Sequence, residues 1–363
     1  MKIGVITFHH AKNSYGASLQ ALATIRVLRS IGHEAELINY ENRYEQAEIK
    51  GNRVPLKRRV SLYLSLITRL YLFGGWKNPY RHRENHDKMY KYITKERYTE
   101  IGQMHNLHYD VLLAGSDQIW NPEVTKELDK AFLLKFGQAK KRISYASSMG
   151  SYKLNKSDKK EFELALKSFN AISVREEHAR GQLLGCTDKN IKVVLDPTLL
   201  LNKEMWEDEF KIDNKEYPPY ILTYFVAGNL DSYWNHIESY VEAMQMPIWN
   251  IQSHAKKSKH AQRIIYCVPL SKIVSLHRNA SLIITDSFHG TAFSINFHKK
   301  FVAIKNKKNP VRVANLLELL KLSDRLCIAP QKILDEIDYM KVDTSLNALR
   351  QDSLGWLNKA LQE

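Results

Sequence analysis

The sequence predicts an α/β protein of two domains, each built on a parallel, doubly wound sheet, facing one another across a cleft. Three observations carry that expectation. The 363 residues exceed what one ordinary core accommodates. The N-terminus runs strand, loop, helix, strand, which is how such a sheet begins. The same alternation returns on both sides of a polar, acidic-rich stretch, Lys203 to Lys215, that follows Asp196-Pro197.

Along the chain, Lys2 to Phe8 is apolar enough for a buried strand, and His9 to Tyr15 is a polar loop. Gly16-Ala17-Ser18 opens an amphipathic helix carrying Leu19, Leu22, Ile25 and Leu28, and Gly32 closes it. Ala35 to Tyr40 is the second strand. Tyr109–Leu113, Arg142–Ala146, Ala171–Val174 and Lys192–Leu195 continue the first sheet. Tyr220–Val226, Ile248–Ile251, Ile264–Tyr266, Leu282–Thr285 and Phe301–Ile304 make the second. Residues 1–200 are therefore assigned to the first domain and 201–343 to the second. Residues 344–363 hold a final helix, Thr344 to Leu361, placed to pack back on the first domain.

One segment stands apart. Val60 to Gly75 is almost wholly apolar, interrupted by Arg69 and flanked by Lys57-Arg58-Arg59 and Trp76-Lys77. It is shorter than the ~20 residues that span a bilayer. Two readings fit residues 57–77: a buried helix of the first domain, or an interfacial helix with its basic flank on lipid phosphates and Trp76 at the head groups.

With 54 Lys and Arg against 39 Asp and Glu, the chain carries a net charge of +15. Such a surplus attracts nucleic acid, anionic lipid or phosphorylated small molecules. Nucleic acid is disfavoured, since there is no zinc-finger spacing, no RNP-type strand motif and no clear helix-turn-helix. The basic residues are also spread along the chain and not gathered in a tail. Cys186, Cys267 and Cys327 are far apart and form neither a disulfide framework nor a zinc cluster. They read as small core residues of a protein in a reducing cytoplasm. The N-terminus lacks the long apolar core of a signal peptide.

The most informative stretch is Ile283 to Ser294, I-I-T-D-S-F-H-G-T-A-F-S. An apolar strand ends in Thr285-Asp286-Ser287, and His289-Gly290-Thr291 then starts a helix. That order puts a histidine beside N–H groups without intrahelical partners, a place to hold an anion and supply a proton. Asp286 is positioned to orient the ring and raise its pKa, which would suit a general acid. The plainer reading is a structural histidine.

Other strand ends carry polar groups to the same edge. Asp110 to Asn121 runs into Gly115-Ser116-Asp117-Gln118, where Ser116 and Gln118 suit sugar hydroxyls and Asp117 suits a base. An ordinary cap would explain Asp117 equally. Val174 delivers Arg175-Glu176, a guanidinium for carboxylate or phosphate, with a surface ion pair as the bland alternative. Arg312 precedes an apolar helix and could close on an anion or simply face solvent. Asn13, Tyr15 and Gly16 lie in the first strand-to-helix loop, where ligands bind in parallel sheets.

Together these residues resemble the polysaccharide pyruvyl transferase family. The matching pieces are Thr7-Phe8-His9 with Tyr15-Gly16-Ala17-Ser18-Leu19-Gln20, Gly115-Ser116-Asp117-Gln118-Ile119-Trp120-Asn121 and Ser144-Tyr145-Ala146-Ser147-Ser148-Met149-Gly150. They continue with Ser173-Val174-Arg175-Glu176, Leu195-Asp196-Pro197-Thr198-Leu199-Leu200 and Thr285 to Ser294. The resemblance implies two Rossmann-like domains similar to GT-B glycosyltransferases. It implies transfer of a pyruvyl group from phosphoenolpyruvate to a sugar as a cyclic ketal, with no further cofactor. His289 matches the motif histidine, the implied general acid, and Arg175 and Arg312 match the donor-binding arginines. Ser287, Gly290 and Thr291 would complete the donor side. Asn13, Tyr15, Gly16, Ser116 and Gln118 would face the acceptor from the first domain.

Two departures touch acceptor contacts more than reaction type: Ser14 stands as an extra residue between Asn13 and Tyr15, and His298-Lys299-Lys300 replaces the commoner Lys-Pro. The reaction requires no metal, and no metal-ligand cluster is evident in the sequence. The expected partners are phosphoenolpyruvate, a sugar or lipid-linked acceptor and an anionic membrane surface at the inner face. A sugar-nucleotide glycosyltransferase on the same architecture is the competing enzyme reading. A non-catalytic basic binding protein is the competing reading from another class.

Overall fold

In a computed structural model the protein is described over residues 1–9, 14–42, 91–212, 217–252, 257–266, 268–306, 310–327, 329, 332–333 and 335–362. Asn13, Cys267 and the Val60–Gly75 segment with its basic flank lie outside the described residues.

The first half contains β1 (Lys2–Ile6), α1 (Tyr15–Ser30), β2 (Glu34–Leu37), β3 (His108–Ala114), α2 (Pro122–Thr125) and β4 (Gln138–Ser147). It continues with α3 (Lys156–Leu166), β5 (Ala171–Val174), α4 (Glu177–Leu183) and β6 (Ile191–Val193). Helices α5 (Pro197–Leu200) and α6 (Lys203–Phe210) lead into β7 (Ile221–Tyr224), α7 (Leu230–Met244), β8 (Ile248–Gln252) and β9 (Arg263–Tyr266). Then come α8 (Leu270–Asn279), β10 (Leu282–Thr285), α9 (Phe288–Asn296), β11 (Phe301–Ala303), α10 (Pro310–Leu319) and α11 (Tyr339–Gln362).

The strands form two sheets, ordered β2-β1-β3-β4-β5-β6 and β11-β10-β7-β8-β9. Every pair within them is parallel. The strand order reverses between β1 and β3 in one sheet and between β7 and β10 in the other. At such switch points the loops beyond the carboxyl ends diverge and leave room for ligand. These are the loops that carry Ser116-Asp117 and Asp286 to His289.

Helix α1 starts at Tyr15, one residue before the expected Gly16. Ser14, the residue that departs from the family pattern, is its N-cap, accepting from the Ala17 N–H. The helix is not amphipathic in use: most of its residues are buried, because it packs on the first sheet and also against α5 and α8. Thr7 and Phe8, expected within the first strand, lie past β1. There the Gln20 amide Nε2 donates to Thr7 Oγ1 and the Phe8 carbonyl, and Thr7 Oγ1 donates to the Ser116 carbonyl.

Two further devices shape the site edge. Ala146 has φ 52°, and the β4–β5 register shifts between Ser144 and Ser147, a bulge that turns the end of β4. Ser147 then donates to the Gly115 carbonyl at 2.9 Å and Ser148 reaches Glu176 at 2.6 Å. Helix α11 begins on the second sheet's side, where Tyr339 donates to the Lys299 carbonyl at 2.6 Å. It ends on the first, where Ser353 Oγ accepts the Leu195 N–H at 3.0 Å and Lys141 donates to the Leu361 carbonyl at 2.7 Å.

Cys186 is buried as expected of a core residue, but Cys327 is exposed. It follows a short 3-10 turn, Ser323–Arg325, and has left-handed backbone (φ 53°). Among the described residues no helix is long and apolar enough to cross a membrane.

Candidate active site

The carboxyl ends of β3 and β5 and the start of α5 meet the start of α9 and the first turn of α10. Arg175, delivered by the last residue of β5, is the centre. Its Nη1 donates to Asp196 Oδ2 at 2.8 Å and its Nε to Glu176 Oε1 at 3.0 Å. Its Nη2 stands 3.8 Å from Asp117 Oδ1, beyond hydrogen-bond range. The guanidinium also lies over the Phe288 ring at 4.7 Å. Burial opposes its charge, but Glu176, Asp196 and Asp117 outweigh that and raise its pKa. The Arg175–Glu176 pair is thus buried, not a surface ion pair.

Arg312 enters from the other side. It lies inside α10, not before it, and is largely buried, with Nη1 3.9 Å from the same Asp117 oxygen. Asp117 itself adopts φ 72°, left-handed backbone that Asp tolerates better than most residues, and its carbonyl accepts the Ser148 N–H. Two arginines therefore flank one carboxylate oxygen without closing on it.

His289 is the second residue of α9, whose N-cap Ser287 accepts from the Gly290 N–H at 3.3 Å. The Phe288 and His289 N–H groups precede any intrahelical acceptor. The imidazole Nε2 stands 3.8 Å from Asp196 Oδ2. Gly16 presses on the other edge of the ring: a Cβ there would fall less than 3.0 Å from Nδ1, Cγ and Cε1. Burial lowers the His289 pKa; Asp196 and Asp117 push it up, and Arg175 and Arg312 push it down.

Asp196 ties the cluster together. Its Oδ1 caps α5, taking the Thr198 N–H at 2.9 Å and hydroxyl at 2.7 Å, while Oδ2 takes the Ser116 hydroxyl at 2.9 Å and Arg175. Burial pushes its carboxyl up, but His289, Arg175 and the Thr198 donors hold it at about 2.

Four polar atoms here are buried without a hydrogen-bond partner among the described residues: Arg175 Nη2, Arg312 Nε, His289 Nε2 and Glu176 Oε2. Each such group costs roughly 1–3 kcal/mol. Four in one cluster leave hydrogen-bonding capacity gathered at one place.

Several expected roles are corrected. Asp286 does not orient His289. Its Oδ1 accepts the Val226 N–H at 2.6 Å, and its Oδ2 accepts the Ala227 N–H at 3.0 Å and the Tyr233 hydroxyl at 2.8 Å. It secures the loop after β7, and the carboxylate near the ring is Asp196. Nor is the His289 pKa raised, because burial dominates.

The Gly290 amide is taken by Ser287, and the Thr291 amide and hydroxyl both bond the Ser287 carbonyl, so the helix itself consumes these donors. Gly290 instead makes room for Thr285, whose Oγ1 a Cβ would strike. Ser116 gives its hydroxyl to Asp196 and is fully buried, and Gln118 Oε1 accepts from Asn121. The Ser116 hydroxyl is thus committed to Asp196, whereas Gln118 commits its carbonyl oxygen alone. Tyr15 is buried, its hydroxyl accepting the Val268 N–H at 3.3 Å across the two halves.

Asp196 and Glu176 escaped the sequence reading as site residues. The usable signal was the cap: an Asp before Pro-Thr spends one oxygen on the helix and leaves the other for a partner. Among the described residues no group of three or more His, Cys, Asp or Glu could hold a metal ion.

The family model of polysaccharide pyruvyl transferase matches residues 15–308. None of the curated protein sequences matches the chain. Among solved structures, UDP-N-acetylglucosamine 2-epimerase from Rickettsia bellii is similar at a TM-score of 0.50 and 10% identity, over 100% of this chain and 97% of that one. The UDP-GlcNAc 2-epimerase of Methanocaldococcus jannaschii with UDP-GlcNAc and UDP gives 0.47 at 15% identity, over 96% and 92%. ADP-heptose lps heptosyltransferase II of E. coli gives 0.32 at 13%, over 97% and 99%. The likeness concerns the fold, two Rossmann-like domains facing across a cleft in the GT-B manner.

Proposed function

The chain belongs to the polysaccharide pyruvyl transferase family, and from that premise we propose that it moves a pyruvyl group from phosphoenolpyruvate to a sugar, releasing phosphate and forming a cyclic ketal. The observation that carries this is the set of unpartnered buried atoms on Arg175, Arg312 and His289. Phosphoenolpyruvate brings a carboxylate and a phosphate. Two guanidinium groups and the open amides of α9 suit both anions, and the net charge of +15 favours their approach.

In this reading Arg175 and Arg312 bind the donor and His289 protonates its methylene carbon. The neighbouring carbon becomes electrophilic and a sugar hydroxyl adds to it. Asp117, 3.8 Å and 3.9 Å from the two arginines, is the candidate to take that hydroxyl's proton. Phosphate leaves as its C–O bond breaks, and a second hydroxyl adds to the same carbon to close the ketal, its proton returning to His289. Burial disfavours the charged form of His289 in the free protein. The donor's negative charge offsets the two arginines that disfavour the imidazolium, so the proton is taken up with the donor.

The acceptor is a sugar of a cell-surface polysaccharide, capsule or exopolysaccharide, or of its lipid-linked precursor at the inner face of the membrane. The apolar and basic composition of residues 57–77 supports the lipid-linked form. The test is incubation with phosphoenolpyruvate and a panel of galactosides, glucosides and mannosamine derivatives, read by mass spectrometry. A pyruvyl ketal adduct is the expected product. Thermal stabilisation by UDP- or GDP-sugars, with none by phosphoenolpyruvate, would overturn the reading in favour of a glycosyltransferase.

A further inference from the structure

We propose that Asp196 is the positioning carboxylate of the site, holding Arg175 in place and supplying the counter-charge beside which the His289 imidazolium forms. The role in an acid step rests on the reading of His289 as proton donor, whereas the electrostatic role does not.

The geometry is specific. Asp196 is buried and receives four donors: the Ser116 hydroxyl and Arg175 Nη1 on Oδ2, the Thr198 amide and hydroxyl on Oδ1. A carboxylate so held cannot rotate, and its charge stays in place without solvent relaxation. The oxygen that binds Arg175 is also the one 3.8 Å from His289 Nε2. That nitrogen is buried and has no hydrogen-bond partner among the described residues, so Asp196 is an attractive charge beside it without being its partner. A hydrogen bond would fix the proton on Nε2; a carboxylate one step farther favours the imidazolium and leaves the N–H free for substrate.

The other charged groups facing His289 come from three elements. Asp117 on the loop after β3 adds to the attraction, while Arg175 from β5 and Arg312 from α10 oppose it. From α1, Gly16 contributes contact and no charge. Asp196 differs from Asp117 in being rigidly bonded and within 4.0 Å of the ring.

The test is the titration of His289 by NMR on histidine-labelled protein, with its resonance assigned by its loss in His289→Gln. Asp196→Asn keeps the Thr198 cap and removes the charge, so the His289 pKa is expected to shift down from wild type. Ser116→Ala removes one donor from Oδ2 and keeps the charge, so the shift is expected to be upward. Folded Asp196→Asn protein with an unmoved His289 titration overturns the proposal. If Asp196→Asn does not fold, an unmoved or downward titration in Ser116→Ala overturns it. The readout needs no substrate: shifts in the stated directions uphold the electrostatic role even if no ketal forms, in which case it is the pyruvyl-transfer reading that fails.

Discussion

Gly16 and His289, 273 positions apart in sequence, pack so closely that Gly16 has no room for a side chain beside the imidazole. A Gly16→Ala substitution forces the ring or α1 to move, a kind of overpacking that costs roughly 1–3 kcal/mol. Thermal unfolding of Gly16→Ala, His289→Ala and the double variant checks this. Most of the Gly16→Ala loss should vanish when the ring is absent; simple additivity would argue that the contact does not constrain the fold.

His289→Gln should lower kcat by about 10²–10⁴-fold, the usual range for a lost general acid, with a smaller change in the KM for phosphoenolpyruvate. The pH dependence has a definite sign. Burial places the free protein's His289 pKa below the ordinary 6.5. The protonated form therefore disappears as pH rises through that lowered value, and kcat/KM should already be declining at pH 6.5. Donor binding raises the pKa, so the decline in kcat should lie at higher pH. Coincident limbs would count against proton uptake with the donor.

The two arginines should separate in their effects. Arg175→Ala leaves the Asp196 and Glu176 carboxylates buried without their cation, a loss of roughly 3–5 kcal/mol visible in denaturant unfolding. Arg312 stands 3.9 Å from Asp117 and bears an unmet Nε. Arg312→Ala should therefore keep a near-wild-type Tm and raise the phosphoenolpyruvate KM at least about tenfold.

Asp286 should behave as a structural residue. In Asp286→Asn the three donors from Val226, Ala227 and Tyr233 lose their carboxylate, and stability should fall by roughly 1–3 kcal/mol. The position of the kcat–pH limb should not change. A displaced limb would restore Asp286 to the role of orienting His289.

His277 supplies an acid sensitivity unconnected with catalysis. Burial pushes its pKa down to about 4 from 6.5, although its bond to the Ile273 carbonyl opposes this. A depressed folded pKa gives stability that is complete above pH 6.5 and lost as pH falls from 6.5 through about 4. His277→Leu should remove that component. Wild type should weaken relative to the variant across this window in urea unfolding at stepped pH, and parallel curves would refute it.

The frame of the fold was legible because a parallel strand covered on both faces needs an unbroken apolar run. Ala171–Val174 and Leu282–Thr285 appear in the structure with the limits the pattern predicts. The strand-end motifs were visible too, as polar clusters after apolar runs. What the pattern could not show is how those polar residues divide the work. Ser116 and Asp196 bond across 80 positions, and no periodicity records such a pairing. Asp286 looked like the histidine's partner by proximity in sequence, yet a strand end and a helix start point in different directions. Its carboxylate turns to β7, whereas Asp196 arrives at the ring from the other half of the chain.

The course of α11 has a mechanical consequence. The chain passes from the first sheet to the second at α5, and α11 bridges back, with Arg350 midway donating to the Leu199 carbonyl at 2.6 Å and to Asn296 Oδ1 at 2.7 Å. The halves also share one apolar core, and the movement of one against the other that disturbs the two straps least is rotation about the line through both. Points near such an axis travel least. Asp196 immediately precedes the first strap, so the anchor of Arg175 lies at the still point of any opening, while groups farther from the line sweep the widest arc.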